Sequence, residues 1–486
     1  MLTPKFKLTQ DEEYIYVDIS ISSIRFNASG LELVVDDTLF VFHLSPYYLR
    51  LRFPHALVDD ERCKAEYKAA DESIFIKIPK LNKGEVFEDL DLPTKLLARH
   101  GEVLAADAVA QAQDSGPRGP LIQEISSTET QPDKSTEDTL ASGEEFNWEI
   151  KQVPHVEGVS ALQTRYGFDN QYDSVIGVSI SNGNDINELD DPEHTGPNER
   201  VLERIRKENL KFDPEYYISE YMTCKYGSGE DLDINGIKSL LQYVPPFPKM
   251  YLKWYKHAED KSASFPVEFS PKEDELMRNE LPKKSYLIQD TTQLYVAILS
   301  LLFAHTFEQV ENEGIHNTES AWTIGKLTPQ IACLDLQLLP GEVIQEFPVV
   351  RAAVVAGTRR ALAYPLHRNF DLVCKCWNYV YYLLRAGKRL ILRALLDIYE
   401  LYRLHEVYYV YNKVFLGDLC SWFVSNGNEN VTRSLAFELK KELGTLTKTA
   451  IDFDCLTGCD ESGELTSENL TLAEMELLAE AEYQQT

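Results

Sequence analysis

Residues 14–21 alternate in character, with Ile15, Val17, Ile19 and Ile21 set against Tyr14, Tyr16, Asp18 and Ser20. That period of two predicts a half-buried strand. Short runs of the same kind follow at 31–35, 39–44, 48–53 and 74–78, rich in β-branched and aromatic residues. Gly30, Asp36-Asp37, Ser45-Pro46 and Pro54 punctuate them where turns are needed. With no helical period among them, residues 1–95 are expected to form an all-β sandwich. Beyond Pro93 a short helical stretch is expected over 94–112. Residues 114–143 then collect Ser, Thr, Pro, Gly and acidic side chains with almost no bulky apolar residue. Residues 96–146 therefore read as a helical stretch and an acidic flexible linker.

From about Asn147 the apolar spacing changes to three and four. Helices are predicted over 200–208, 215–221, 237–243, 289–311, 370–386, 407–423 and 431–443. Asp290 and Asn430 stand where N-caps belong, and Gly314, Gly387 and Gly444 where helices should stop. The expected architecture is multidomain: a sandwich, a mostly α-helical body over 147–449, and an acidic C-terminal tail with a short helix over 450–486. No fixed-period repeat is visible, which disfavours a regular solenoid.

Charge changes this picture more than length does. The 486 residues carry 78 Asp and Glu against 48 Lys and Arg, a formal charge of −30. Residues 123–199 hold 17 acidic residues against Lys134, Lys151 and Arg165, and residues 450–486 hold 10 with no Lys or Arg. These two segments supply −14 and −10, together −24 of the −30. Such a field opposes general binding to phosphate backbones and favours a cationic partner. Phe453, Leu456, Leu470, Met475, Leu477 and Leu478 lie among the C-terminal acids, and acidic sequence with apolar anchors suggests docking rather than a solvated run.

The eight cysteines are scattered along the chain, unlike a disulfide-stapled secreted domain. No apolar run reaches the roughly 18 residues that a membrane span needs. Nucleus and cytoplasm are the expected compartments, with no membrane partner and a monomeric state.

Candidate chemistry is sparse. Asp231-Leu-Asp233-Ile-Asn235-Gly236 opens like a calcium loop, but Gln242 stands where the closing bidentate Glu belongs, so a turn into a helix is expected. Cys374 and Cys376 are two apart on a predicted helix and point to different faces, so core packing is a better account than zinc ligation with Cys455 and Cys459. No phosphate loop, HExxH, nucleophile elbow or kinase signature occurs. His305, His316, His367 and His405 read as structural. Neither catalytic residues nor a cofactor or metal is expected. The aromatic-rich region 377–423 lies near Arg385, Lys388, Arg389, Arg393 and Arg403, which would suit an RNA-stacking platform. Tyrosine at helical spacing is more often core, and no direct RNA binding is expected.

Phe42-His-Leu-Ser-Pro-Tyr-Tyr-Leu-Arg-Leu-Arg-Phe-Pro54 and Glu88-Asp-Leu-Asp-Leu-Pro-Thr-Lys-Leu-Leu-Ala-Arg99 resemble the CS domain of the SHQ assembly factors, a relative of small heat-shock sandwiches. Tyr166-Gly-Phe-Asp-Asn-Gln-Tyr172, Glu199-Arg200, Arg204, Lys211-Phe-Asp213 and Tyr364-Pro-Leu-His-Arg-Asn369 resemble the α-helical domain specific to that family. The resemblance implies an assembly chaperone that binds a dyskerin-type pseudouridine synthase through its PUA and catalytic domains. It would mask the RNA-binding surface as an RNA mimic until guide RNA is loaded in box H/ACA ribonucleoprotein biogenesis, a step allied to ribosome biogenesis. A heat-shock chaperone and release ATPases are further candidate partners, and a general co-chaperone acting through the CS domain is the alternative. Expected contact residues are acidic or aromatic and C-terminal: Asp418, Trp422, Phe423, Asp452, Phe453, Asp454 and Glu461.

Overall fold

Seven strands form in the N-terminal region: β1 (Phe6–Gln10), β2 (Tyr14–Ser20), β3 (Glu32–Asp36), β4 (Leu39–Leu44), β5 (Tyr47–Arg52), β6 (Lys64–Lys68) and β7 (Ser73–Pro79). They make a four-stranded sheet, β1-β2-β7-β6, and a three-stranded sheet, β3-β4-β5, antiparallel throughout. Register places Ile15 opposite Ile78, Val17 opposite Ile76 and Ile19 opposite Ile74, and all six side chains are buried. Phe40 opposite Leu51 and Phe42 opposite Leu49 supply the matching layer from the other sheet. β1 and β6 were not anticipated: β6 is mostly exposed, so it carries no apolar alternation to read.

The computed structural model describes residues 3–21, 30–45, 47–68, 71–97, 152, 164–259, 265–288, 290–340, 348–459 and 465–485. Their packing divides the chain into two units, Met1–Val159 and Ser160–Thr486. The helical stretch expected after Pro93 is a single turn, Pro93–Leu96, as far as the described residues go; the linker expected beyond it lies outside them. Gln152 binds the sandwich. Its Oε1 accepts from Arg50 N at 2.9 Å and its Nε2 donates to Tyr48 O at 2.8 Å, so a side-chain amide pairs with β5 at the edge of its sheet.

The second unit is built around the helix Thr292–Glu311, in which every side chain from Leu294 to Val310 is buried. A helix buried on all sides belongs at a centre, not on a surface. Trp377 of the Phe370–Ala386 helix stacks on its Phe303 with ring centroids 4.0 Å apart. The crossing depends on Gly357 of the Val349–Ala363 helix, where a Cβ would lie 2.8 Å from the Trp377 ring. Gly387, with φ of +98°, separates the Phe370–Ala386 and Lys388–Leu404 helices, as expected of a stop. Gly444 lies inside the last turn of the Glu429–Thr445 helix, and that helix is capped by Asn428, whose side chain accepts from Asn430 N. The N-cap of the central helix is Thr291 rather than Asp290, although Asp290, one residue earlier, accepts from Thr292 N through Oδ1 at 2.8 Å.

A buried ionic cluster ties the helices together. Arg204 of the Pro197–Lys211 helix donates to Asp335 Oδ2 at 2.8 Å, Glu208 Oε1 at 2.9 Å and the carbonyl of Leu338 at 2.7 Å. Arg359 reaches the other oxygen of Glu208 at 2.8 Å. Arg360 bonds Glu188 at 2.6 Å, and Lys326 and Tyr364 meet the same carboxylate at 3.3 and 2.8 Å. Four cations thus face three carboxylates, and carbonyl oxygens take up the remaining donors. Burial pushes the Glu188 carboxyl up, but Arg360 and Lys326 outweigh it and bring it down to about 2.

Because that folded value lies below the ordinary one of 4.5, the stabilisation from Glu188 is present above about pH 4.5 and is lost as pH falls toward 2; it is on the order of 3 kcal/mol. Chemical denaturation between pH 7 and 2.5 should show Glu188→Gln less stable than the parent at neutral pH. The gap should close toward the acid end; a constant gap would refute the assignment. Arg360→Leu, which removes the nearest cation from buried Glu188 and one of three from Glu208, should cost about 3–5 kcal/mol at pH 7 in the same measurement.

Candidate partner-binding face

Residues 450–486, expected as a tail, form β8 (Asp452–Cys459), β9 (Leu465–Thr471) and the helix Leu472–Tyr483. Ile451, Phe453, Cys455, Leu472 and Met475 belong to the core of the helical unit. The period of two in β8 explains this. Phe453 and Cys455 turn inward, while Asp454 is exposed and Asp452 half-buried on the opposite side.

Phe453 stacks on Phe212 at a centroid distance of 3.8 Å and an angle of 5°, and the Arg359 guanidinium covers it at 4.3 Å. Arg359 also donates to the carbonyl of Asp452. The ionic cluster therefore ends on the C-terminal hairpin. The terminal helix is fastened in turn: Glu476 accepts from Tyr217 at 2.7 Å and Lys448 at 2.6 Å, and Glu480 pairs with Lys225 and Tyr221.

Four of the seven expected contact residues are thus placed inside, a correction with a clear cause. Asp418 is buried beneath Tyr172, Tyr286 and Lys284, accepting from the two phenols, with Tyr286 at 2.8 Å. Burial and then the neighbouring Asp418 push the Tyr172 hydroxyl upward, so it stays a donor. Trp422 and Phe423 meet Tyr295 edge-on at centroid distances of 5.5 and 6.4 Å. These three and Phe453 are packed inside the body rather than exposed on a surface. Glu461 lies outside the described residues. Among the described residues of the seven, Asp452 and Asp454 reach toward solvent, and they share Asn469 Nδ2 at 2.9 Å each.

Asp454 also accepts from Asn209 at 2.6 Å, at the edge of a groove of about 710 Å³ between the Pro197–Lys211 helix and the hairpin. Leu202 and Leu210, 59% and 65% exposed, line it with Ile205, Arg206 and Arg368. Apolar side chains this exposed beside a carboxylate make a surface on which a protein could anchor. The sequence held no signal for it, because the buried stripe of this helix is carried by Arg200, Val201, Arg204 and Glu208 while Leu202 and Leu210 are exposed, the reverse of what apolar patterning suggests.

The other candidate chemistries resolve into architecture. Ser228 and Asp231 form a capping box, and Gly236, with φ of +82°, turns the chain into the next helix. Cys376 is fully buried and its thiol is pushed well up by that burial. Trp377, Tyr379, Tyr399, Tyr402, Tyr408 and Tyr411 are buried. Arg393 pairs with Glu273, Arg403 with Glu400, Lys388 with the carbonyl of Val424, and Arg385 and Arg389 lie over Phe437 and Phe269. A stacking platform needs open rings beside a cationic groove, and these groups are committed to one another.

The motifs behind the resemblance are the joints of this body. Tyr166 and Tyr172 bridge, and Tyr166 OH donates to Glu193 at 2.8 Å while accepting from Val175 N and Ile176 N. Gly167, at φ of +75°, lies where a Cβ would fall 2.3 Å from Val414 O. Arg200 clamps the carbonyl of Arg165 at 3.0 Å, and Asn369 caps its helix through Leu372 N at 2.9 Å. His367 and Arg368 N both meet Glu220, at 2.9 and 2.6 Å.

The comparisons agree with this layout. A family model described as SHQ1-like, CS domain, matches residues 3–97, and one described as SHQ1 protein, Shq1 domain, matches residues 258–455. The chain is 34% identical to Protein shq1 of Schizosaccharomyces pombe over 466 residues, 92% of this chain and 93% of that one. It is 31% identical to the Protein SHQ1 homolog of Xenopus tropicalis, over 93% of this chain and 70% of the relative. The Mus musculus homolog is 31% identical over 87% of this chain and 69% of its own. Among the described residues no helix is long and apolar enough to cross a membrane.

Since Phe453 joins the hairpin to the core, Phe453→Ala should destabilise the chain by about 3–5 kcal/mol in urea unfolding. Glu468→Gln, on an exposed side chain of β9, should change it by less than about 0.5 kcal/mol. Equal effects would show that the hairpin is not part of the core.

Proposed function

The chain belongs to the SHQ1 family of H/ACA ribonucleoprotein assembly factors, and on that basis we propose that it chaperones a dyskerin-type pseudouridine synthase before guide RNA is loaded. The observation that carries the reading is the match to the family across both units, from the sandwich to the helical body. Its role is binding, with no reaction of its own, in nucleus and cytoplasm. An RNA-binding surface is cationic, and a protein that covers it gains encounter rate and selectivity from opposite charge.

The charge available to such a partner is smaller than the residue count suggests. Glu188 is spent on Arg360 and Lys326, Glu193 on Tyr166 and two backbone amides, Glu476 on Lys448 and Glu480 on Lys225. Asp454 keeps an outward position beside exposed Leu202 and Leu210. The groove there is the proposed anchoring face: leucines supply the apolar contact and Asp454 meets a cation of the synthase.

The full-length chain should bind the synthase in a titration and compete with guide RNA for it. Simultaneous binding of chain and RNA at undiminished affinity would rule out masking. Leu210→Asp should weaken binding at least about tenfold without loss of folded protein by circular dichroism, since an anchor residue at an interface centre is worth more than about 1 kcal/mol. Asp454→Lys should slow association and flatten its salt dependence. Unchanged binding in both variants would move the face elsewhere.

A further inference from the structure

Two histidines converge on one carboxylate at the edge of the central helix. His305, buried within Thr292–Glu311 and stacked against Phe247 at 5.9 Å, brings Nε2 to 2.9 Å from Asp397 Oδ2. His316, in the turn after the same helix, brings its own Nε2 to 2.9 Å from the same oxygen. These three ligand atoms lie within 4.8 Å of one another. Asp397, on the Lys388–Leu404 helix, has a side chain 37% exposed, so one side of the cluster is open to water.

Behind His316 stands Glu308, fully buried. It accepts from Asn312 Nδ2 at 2.9 Å, Ser320 Oγ at 2.5 Å and Gln309 Nε2 at 3.0 Å, and lies 3.1 Å from His316 Nδ1. His316 thus has a carboxylate at each ring nitrogen, Glu308 at Nδ1 and Asp397 at Nε2, whereas a neutral imidazole carries one N–H. With its one N–H directed at Glu308, His316 turns the Nε2 lone pair toward the Asp397 oxygen, a geometry that a cation between them satisfies.

We propose that His305 Nε2, His316 Nε2 and Asp397 bind one divalent transition-metal ion of the zinc type, with Glu308 as a positioning residue that fixes the His316 tautomer. Two neutral imidazoles and a carboxylate with an open fourth position suit zinc, and a carboxylate behind a ligating histidine is the usual support of such sites. A doubly charged ion also balances the two carboxylates. Among the described residues these pair with His305 and His316 and with no Lys or Arg. The alternative is a second proton on His316, bridging the two carboxylates. Metal binding would displace that proton.

The experiment uses the full-length chain, stripped with a chelator and titrated with zinc chloride by calorimetry, and separately with cobalt chloride while visible absorption is followed. One zinc per chain and a cobalt spectrum of a four-coordinate site are expected. Asp397→Asn and His305→Gln should each lower zinc affinity about 100-fold or more, and Glu308→Gln about 10-fold. If a variant does not fold, ring nitrogen-15 shifts of His316 in the unaltered chain decide the matter, because bound zinc converts Nε2 from protonated to metal-ligated. Nε2 still protonated at stoichiometric zinc would overturn the proposal. So would zinc held as tightly by folded Asp397→Asn as by the parent, which would place the ion elsewhere on the chain.

Discussion

Glu208 is wholly buried and accepts from Arg204, Arg359 and Arg360, one guanidinium from its own helix and two from the Val349–Ala363 helix. Removing such charges from water costs several kcal/mol per ion, which only close pairing and full hydrogen bonding repay. The geometry supplies both. Asp335 and the carbonyl of Leu338 complete Arg204, Glu188 and the carbonyl of Lys326 complete Arg360, and Asn209 with the carbonyl of Asp452 completes Arg359. A hydrophobic cluster of equal volume could give comparable stability. What charged groups add is intolerance of misalignment, since a helix shifted by one turn would leave a buried ion alone.

That intolerance reaches the surface. Arg359 links Glu208 to the hairpin, and the same guanidinium covers the Phe453 ring. The groove wall, from Leu202 to Phe212 on one side and Asp454 to Cys455 on the other, is thereby held at a set width by groups far from solvent. A binding face with rigid walls loses less conformational freedom when a partner arrives. The terminal helix, clasped through Glu476 and Glu480, braces the hairpin from behind. Among the described residues, Glu188, Glu476 and Glu480, which look in sequence like a field for a partner, are fasteners.

The histidine and aspartate cluster shares this logic. Glu308 stands to His316 as Glu208 stands to its arginines: a buried acceptor that fixes which donor atom points where. Both sit against the central helix or the helices packed on it, where a side chain has little room to choose another rotamer.

Much of this was legible from residue order alone. Alternation located β2, β4 and β7, and three-and-four spacing located the helices at Pro197–Lys211, Thr292–Glu311 and Phe370–Ala386, because these elements bury a face whose period is local. The charge total, the absence of catalytic motifs and the family resemblance were also properties of the linear chain. Burial of particular charges was not, since a carboxylate in solution and one clamped by arginine are the same letter. Glu188 meets Arg360 across 172 residues and Tyr217 meets Glu476 across 259. Only the folded chain brings them together. For the same reason Asp418, Trp422, Phe423 and Phe453 looked like a docking surface in sequence and proved to be core, whereas Asp454, two residues after Asp452 on the outward phase of β8, was left at the rim.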